Sequence, residues 1–389
     1  MQRKLTLKIR DFLPYLLLTL AVLAVYGNTF DNDPLYDDTY LILKNDYLRS
    51  WHSLGEIFLT YVNSGAFRFG QFYRPLQNVL YLIVYQIGGL NMFGFHLLNL
   101  GLHAANACLV YALGRKLNFH PGAVFIAAAL WAMHPIHTEA VTYMSGTADV
   151  LFTLFCLLGL VILLPDFSPR KFWLATPIFL LGLLSKEAAI IFPALVLITL
   201  YLTQPERLNF RIYLRTWPLW GTAAAYLAAR FIFVPFHGNE FISSGATAEI
   251  YGNHVLVRIC TFLAALPDYV KLILWPQGLH MDRNFPVYLN PWSRPVAGGV
   301  VLAALIVAQL AWGRARRGLP LSWGLLWFGC AQLPQSGILV PVNSLFLEHW
   351  MYLPSVGLFL GIAESLGEIL KPAPARKTIA GVAAIVTRR

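Results

Sequence analysis

Long apolar segments recur along the chain and are separated by short polar stretches rich in Lys and Arg. Many of these segments approach the length of about 20 residues that an α-helix needs to cross a bilayer. The first follows a basic start and precedes no small-x-small cleavage site, so we interpret it as an uncleaved membrane helix. The pattern predicts eleven membrane helices, over 12–26, 94–114, 121–137, 148–165, 172–184, 188–202, 216–235, 296–312, 321–334, 349–370 and 378–387.

The composition agrees with a membrane protein. Hydrophobic residues make up 57% of the chain and charged residues 12%, whereas soluble proteins carry roughly 25% charged residues. The net charge of +10 could suggest nucleic-acid binding, but the basic residues lie in short loops between apolar segments. That distribution is typical of cytoplasmic loops. We therefore predict an all-α, multi-pass integral membrane protein with a cytoplasmic N-terminus and no nucleic-acid partner.

The basic clusters also predict the topology. Between two successive cytoplasmic clusters the chain must cross the membrane an even number of times. This places a first outer loop, 27–73, and an outer segment, 235–295, on the non-cytoplasmic face. It leaves 75–88 and 258–275 as re-entrant or interfacial helices at that face. Most of the 19 acidic residues then fall on the outer side, where ionisable groups are costly and usually functional.

Two adjacent carboxylates, Asp37 and Asp38, follow the first membrane helix. Such a pair can supply a general base, because each charge raises the pKa of its neighbour. A solvated acidic turn is the alternative interpretation. Apolar neighbours such as Leu35, Tyr36 and Tyr40 favour a packed site over a loose turn.

Two basic residues lie at predicted helix ends on the outer face. Arg74 begins the segment 75–88 and is suited to bind a phosphate through its charge and the nearby free N–H groups. Anchoring at the lipid headgroups is the alternative for Arg74. Lys186 lies between two short apolar segments and either forms an ion pair with Glu187 or faces a phosphate.

Other outer-face polar residues line the predicted hairpin tips. His134, His137 and Glu139 are able to ligate a metal, but their spacing matches no zinc rule cleanly, so hydrogen-bonded residues at a helix end are the alternative. We therefore assign no metal site, and a divalent cation is the only cofactor left open. The remaining residues expected to line the site are Asp149, Glu187, Asp282 and Glu348.

Seven strings, taken in order, resemble one family over nearly the whole chain. This family is the transmembrane and tetratricopeptide-repeat O-mannosyltransferases with their bacterial relatives, members of the GT-C glycosyltransferase superfamily. The strings are Asp37-Asp38 with Ile42 and Asn45, Tyr73–Leu76, His96–Asn99 with His103, His134–Val141, Leu184–Ile190, Trp275-Pro276 with Leu279 and Asp282, and Glu348–Gly357.

The resemblance implies a GT-C-type helical bundle that transfers a sugar with inversion, with little or no dependence on metal. The donor would be a polyprenyl-phosphate sugar, typically dolichyl-phosphate mannose. The acceptor would be a Ser or Thr hydroxyl of a translocated protein. An Asp of the first outer loop is the usual base in such enzymes, and it corresponds to Asp37 or Asp38. The departing lipid phosphate needs positive charge, for which Arg74, Lys186 and Arg230 are the candidates.

The chain departs from the family pattern in two places. Relatives usually have an Arg after the glycine of the second outer loop, where this chain has Thr147 after Gly146. Relatives commonly continue into tetratricopeptide repeats, whereas we interpret residues 1–389 as a single membrane domain without them. A bacterial inner membrane is expected rather than the endoplasmic reticulum. The alternatives are a GT-C transferase with a lipid or glycan acceptor, a polyprenyl-lipid transporter, and a non-catalytic relative.

Overall fold

The structure is a computed structural model that describes residues 2–68, 72–203, 210–234, 246–315, 320–342 and 344–370. These residues form helices and short connecting segments, with no β-strand among them, so the all-α prediction is confirmed. The predicted helix 378–387 lies outside the described residues. The α-helices are α1 (Gln2–Tyr26), α2 (Leu54–Leu59), α3 (Pro75–Gly88), α4 (Met92–Lys116), α5 (Pro121–Ala132), α6 (Thr138–Thr142), α7 (Thr147–Leu163), α8 (Pro169–Ser185), α9 (Phe192–Thr203), α10 (Phe210–Arg215), α11 (Trp217–Phe233), α12 (Ala246–Asn253), α13 (Val255–Leu274), α14 (Arg294–Ala315), α15 (Pro320–Gln332) and α16 (Tyr352–Leu370).

Several of these helices are long and apolar enough to cross a bilayer. Within the described residues four segments meet both conditions: Asp11–Asp31, Met92–Lys116, Met144–Leu163 and Arg294–Trp312. Helix α5 and the segment Pro135–Thr142 form a fifth if they are one span bent by 49°. The protein is therefore a helical membrane protein, and the predicted count of about eleven spans is not confirmed.

The two helices predicted to lie at the outer face differ in length. Helix α3 has 14 residues, about 21 Å at 1.5 Å per residue, which is short of the roughly 30 Å hydrocarbon core. Helix α13 has 20 residues and continues through Pro267. Three charged residues, Arg258, Asp268 and Lys271, lie along α13. The length of α3 and the charges of α13 suit the prediction, whereas the length of α13 would also allow a span, and the position of both helices in the membrane stays a prediction.

A row of polar residues on α4 holds together the broken backbone between α5 and α7. The Asn99 side-chain amide donates to the Tyr143 carbonyl at 3.0 Å, and the Asn106 amide donates to the Val150 carbonyl at 2.8 Å. The Nε2 atom of His103 lies 2.8 Å from the Ala132 carbonyl. Non-helical backbone is tolerated at membrane depth where other groups satisfy it. These buried side chains therefore fix the segment that carries much of the candidate site.

Helices α15 and α16 pack closely because glycines face each other across their contact. Gly357 and Gly361 are four residues apart on α16, a spacing that lets helix backbones approach. A Cβ atom on Gly324 of α15 would lie 2.4 Å from the Gly357 carbonyl oxygen. No side chain larger than hydrogen fits there without separating the helices.

Replacing Gly324 with alanine is therefore expected to lower the free energy of unfolding by about 1–3 kcal/mol, the usual cost of overpacking. Gly329 lies on the same helix, and a Cβ there would meet nothing within 4 Å, so Gly329→Ala is the matched control. Denaturation in mixed micelles measures both variants. Gly329→Ala should keep or gain stability, because alanine favours a helix more than glycine does; equal loss in the two would show that the close contact is not responsible.

Candidate active site

Asp38 is buried at the base of the loop that follows α1 and ties that loop to the segment just before α7. Its Oδ1 atom accepts hydrogen bonds from the Ser145 backbone N–H at 2.8 Å and from the Ser145 hydroxyl at 2.5 Å. Its Oδ2 atom accepts from the Leu35 N–H at 3.0 Å. Burial raises the pKa of Asp38 above its usual value, although these hydrogen bonds act in the opposite direction. The carboxylate of Asp38 is therefore engaged within the protein.

Asp37 points the other way and is exposed. Its backbone N–H donates to the Tyr143 hydroxyl at 3.0 Å, which fixes the position of the main chain. Its carboxylate makes no hydrogen bond or ion pair with the described residues. The preceding residue, Tyr36, has a φ of 41°, a left-handed conformation that is unfavourable for a bulky residue. The loop thus presents one carboxylate to solvent and buries the next.

Lys186 forms a buried ion pair with Asp149. Its Nζ atom lies 2.7 Å from both carboxylate oxygens of Asp149, and both side chains are buried. The prediction that Lys186 pairs with Glu187 is wrong. Helix α8 ends at Ser185, and Lys186 has extended backbone angles. Successive side chains of an extended chain point to opposite sides, so Lys186 turns inward and Glu187 turns away.

Glu187 instead contacts the segment that begins α3. Its Oε1 atom accepts a hydrogen bond from the Tyr73 N–H at 2.7 Å, and its Oε2 atom lies 3.8 Å from Nε of Arg74. Arg74 is close enough to Lys186 and Asp149 for their charges to interact. Arg74 and Lys186, two of the predicted phosphate-binding residues, therefore belong to one cluster of charges with Glu187 and Asp149.

The third predicted phosphate-binding residue, Arg230 of α11, joins the same cluster. It is buried, and its guanidinium lies 5.7 Å from the Tyr61 ring centroid and 5.6 Å from the Tyr73 ring centroid. Arg230 also lines a cavity of about 410 Å³ whose other walls are mainly apolar. Tyr73 thus contacts both Glu187 and Arg230 and links the cations to the cavity. This cavity, between α8, α11 and the loop, is called the α8–α11 cavity below.

Glu139 and Glu348 form a second group of contacts beside Asp149. Glu139 accepts from the His349 backbone N–H at 2.8 Å and lies 2.7 Å from His349 Nδ1. His349 Nε2 is 3.8 Å from Asp149. Glu348 accepts from Arg283 Nη2 at 2.8 Å. The structure therefore joins Glu139 and Asp149 through His349 and pairs Glu348 with Arg283, two basic partners that the sequence reasoning did not assign.

Three predicted lining residues have other surroundings. His134 Nδ1 accepts from the Ile136 N–H at 3.2 Å, and its Nε2 lies 2.9 Å from the Ile273 carbonyl. His137 is buried with its ring centroid 4.9 Å from that of Trp131. Asp282 is exposed, and no contact in the described part of the chain joins it to the cluster.

The residues described in the structure offer no group of three or more His, Cys, Asp or Glu side chains arranged to hold a metal ion. Both ring nitrogens of His134 already have backbone partners, and Glu139 is engaged by His349. Two of the residues that the sequence left open as metal ligands are therefore engaged elsewhere, and no step proposed below depends on a divalent cation.

Thr147 occupies the position where relatives usually have an arginine. Its side chain is fully buried, and its hydroxyl donates to Asn99 Oδ1 and to the Met144 carbonyl. Ser145, two residues earlier, holds Asp38. Sequence reasoning missed Ser145 and Tyr143, because neither residue type nor spacing distinguishes them before the loop and α7 meet.

The fold and the site define a multi-helix membrane protein with an exposed carboxylate on one loop and a group of cations near Glu187. The chain is 31% identical to Protein O-mannosyl-transferase TMTC2 of Mus musculus, over 67% of this chain and 34% of the relative. It is 26% identical to Protein O-mannosyl-transferase TMTC4 of Homo sapiens (93% and 56%) and 25% identical to Protein O-mannosyl-transferase F38B6.6 of Caenorhabditis elegans (89% and 50%).

The chain is thus related to the TMTC protein O-mannosyl-transferases. It spans between about a third and somewhat more than half of the length of these relatives. No family model matches the chain, and no solved structure matches it.

Proposed function

We propose that the chain is a glycosyltransferase that moves a mannosyl residue from a polyprenyl-phosphate carrier to a Ser or Thr hydroxyl of a protein. One observation carries the proposal: Arg74 and Arg230 lie around Tyr73 and Glu187 beside the apolar α8–α11 cavity, and the charge of the buried Lys186 interacts with those of Arg74 and Glu187. A lipid phosphate needs cations for its head and an apolar surface for its tail. The names of the relatives, protein O-mannosyl-transferases, supply the sugar and the acceptor class.

Asp37 is assigned as the general base. An acceptor hydroxyl is a weak nucleophile, and a carboxylate within hydrogen-bond reach removes its proton during attack. The Asp37 carboxylate is exposed and is held in place only through its backbone. Asp38 is already engaged by Ser145 and Leu35, so we assign it to positioning. The alternation of an exposed and a buried carboxylate supports this division of roles between the two aspartates.

At the anomeric carbon the transfer forms one bond and breaks one bond. The acceptor oxygen bonds to the anomeric carbon as its proton passes to Asp37, and the bond from that carbon to the phosphate oxygen breaks. The bonding electrons leave with the polyprenyl phosphate, and attack from the opposite face inverts the anomeric centre. Positive charge placed where negative charge develops lowers the barrier, which is the role proposed for the three cations.

The site is proposed to face the non-cytoplasmic side of the membrane, with the N-terminus in the cytoplasm. The asymmetry of Lys and Arg between loops supports this orientation. A bacterial inner membrane stays our prediction for the location. A cysteine at Asn28, just after α1, combined with labelling by an impermeant thiol reagent in intact cells or vesicles, would test the side on which the first loop lies.

Sugar transfer by the purified protein in detergent tests the proposed function. Polyprenyl-phosphate mannose is offered with Ser/Thr peptides and, separately, with lipid and glycan acceptors, and labelled product is counted. Labelled peptide is the expected result. Labelling of lipid or glycan alone would retain the glycosyltransferase and reject the protein acceptor. Release of no mannose from the donor with any acceptor would reject the activity and favour a transporter or a non-catalytic relative.

A further inference from the structure

Tyr226 of α11 has a buried hydroxyl without a hydrogen-bond partner among the described residues. The residue is 6% exposed and lines the α8–α11 cavity beside Arg230. Its ring lies 6.4 Å, centroid to centroid, from that of Tyr73. Leaving a buried hydroxyl unsatisfied is costly, so this polar group is expected to serve a ligand.

Other buried tyrosines of the protein do not share this feature. Tyr81 donates to the Met144 carbonyl at 2.6 Å, Tyr269 donates to the Leu347 carbonyl at 3.2 Å, and Tyr352 lies 2.6 Å from His103 Nδ1. Buried polar groups in proteins are bonded in the great majority of cases. The orphan hydroxyl is thus a property of the cavity wall and not of buried tyrosines in this fold.

The charges around the Tyr226 hydroxyl indicate the chemistry of that ligand. Arg230, Arg74 and Glu187 all lie within electrostatic range of it, so two cations outnumber one anion. The rest of the wall is apolar, from residues such as Leu180 and Phe233. An anion with a hydrocarbon tail fits this combination, and the volume of about 410 Å³ falls in the range of ligand pockets, roughly 300–1,000 Å³.

We propose that the Tyr226 hydroxyl donates a hydrogen bond to the phosphate of a polyprenyl monophosphate whose first isoprenoid units fill the α8–α11 cavity. The inference rests on the proposed function, because that carrier is its leaving group, and it adds a neutral donor to the three cations. The cations attract any anion by charge, whereas the hydroxyl adds a hydrogen bond whose direction depends on where the phosphate oxygen lies. Tyr226 is therefore a residue that selects and orients the donor lipid.

The test compares Tyr226→Phe with the wild-type protein. Since the hydroxyl has no partner among the described residues, the variant without ligand is expected to unfold at the same or a higher temperature. Its Kd for farnesyl phosphate, a short polyprenyl monophosphate, is expected to rise by about tenfold, the effect of one lost hydrogen bond to a charged group. Calorimetric titration measures Kd, and thermal unfolding in detergent measures stability.

Tyr73→Phe is the matched control, because it removes a second hydroxyl from the same cavity. That hydroxyl already donates to the Phe58 carbonyl at 2.9 Å, so its loss is expected to lower the unfolding temperature and to change Kd less than Tyr226→Phe does. Inorganic phosphate and phosphatidic acid are titrated in parallel. Both are expected to bind more weakly than farnesyl phosphate, since one lacks a tail and the other has two acyl chains.

The outcomes separate this inference from the proposed function. Equal Kd values for the wild type and Tyr226→Phe, or preferred binding of phosphatidic acid, would overturn the role of Tyr226, whatever the transfer assay shows. If no mannose were transferred but Tyr226→Phe had a higher Kd for farnesyl phosphate, the lipid site would be supported and only the transferase activity would be rejected. Where transfer is measurable, Tyr226→Phe is expected to raise the donor KM more than it lowers kcat.

Discussion

Asp37→Asn is expected to lower the rate of mannose transfer by about 10²–10⁴-fold, the usual contribution of a general base, with no change in unfolding temperature. The amide cannot take the proton of the acceptor hydroxyl. The fold should not respond, because the Asp37 carboxylate is exposed and bonds to no described residue. Transfer to a Ser/Thr peptide and thermal unfolding in detergent are the two measurements.

Two aspartates of the same loop complete the experiment. Asp33→Asn is the control for charge alone, since Asp33 is also exposed and should keep nearly full activity. Asp38→Asn places an N–H donor among groups that donate to the native carboxylate, so its unfolding temperature should fall. If Asp37→Asn transferred at the wild-type rate while a folded Asp38→Asn did not, the base would be Asp38.

Lys186→Met is expected to lower the free energy of unfolding by about 3–5 kcal/mol, because it leaves the buried Asp149 carboxylate unpaired. The native pair has Nζ within 2.7 Å of both carboxylate oxygens. Adding Asp149→Leu removes the uncompensated charge, and replacing a buried pair with apolar residues is often close to neutral. The double variant should therefore recover most of the stability, as measured by denaturation in mixed micelles.

The double variant also separates support of the fold from support of the leaving group. If Lys186 stabilises the departing phosphate, the folded double variant should transfer mannose at least 10²-fold more slowly than the wild type, given the usual size of such electrostatic contributions. Wild-type activity would make Lys186 a structural cation only. Lys171→Met is the control, since its partner Asp166 lies in an exposed pair and its loss should change stability little.

The helices were largely predictable from the chain, whereas the number of spans was not. Apolar runs predict α4 and α14 closely, because hydrophobic length alone sets them. The helix predicted over 121–137 instead bends by 49° between α5 and the segment Pro135–Thr142. Its backbone is satisfied by α4 side chains such as Asn99 and His103. Such long-range compensation leaves no local signal, so apolar runs alone do not determine where a span is continuous.

The candidate site was likewise only partly predictable from the sequence. Residue types and the family strings were sufficient to select Asp37, Asp38 and the three cations. They did not show that adjacent carboxylates face opposite ways, since that depends on the left-handed Tyr36 and on Ser145, over 100 residues away. Asp282 was selected by its string and lies apart from the cluster, while its neighbour Arg283 contacts Glu348.

The sequence alone was sufficient to predict a helical membrane protein. Its charged fraction is too low for water to be its only solvent, and its apolar runs approach the length of a membrane helix. It also indicates that the candidate site uses carboxylates and basic side chains. Which side chains pair is settled only when the helices pack: Lys186 meets Asp149, Glu187 meets Arg74, and the Tyr226 hydroxyl meets no hydrogen-bond partner in the described part of the chain. Partners close in space are distant in sequence, and desolvation decides which charges must meet.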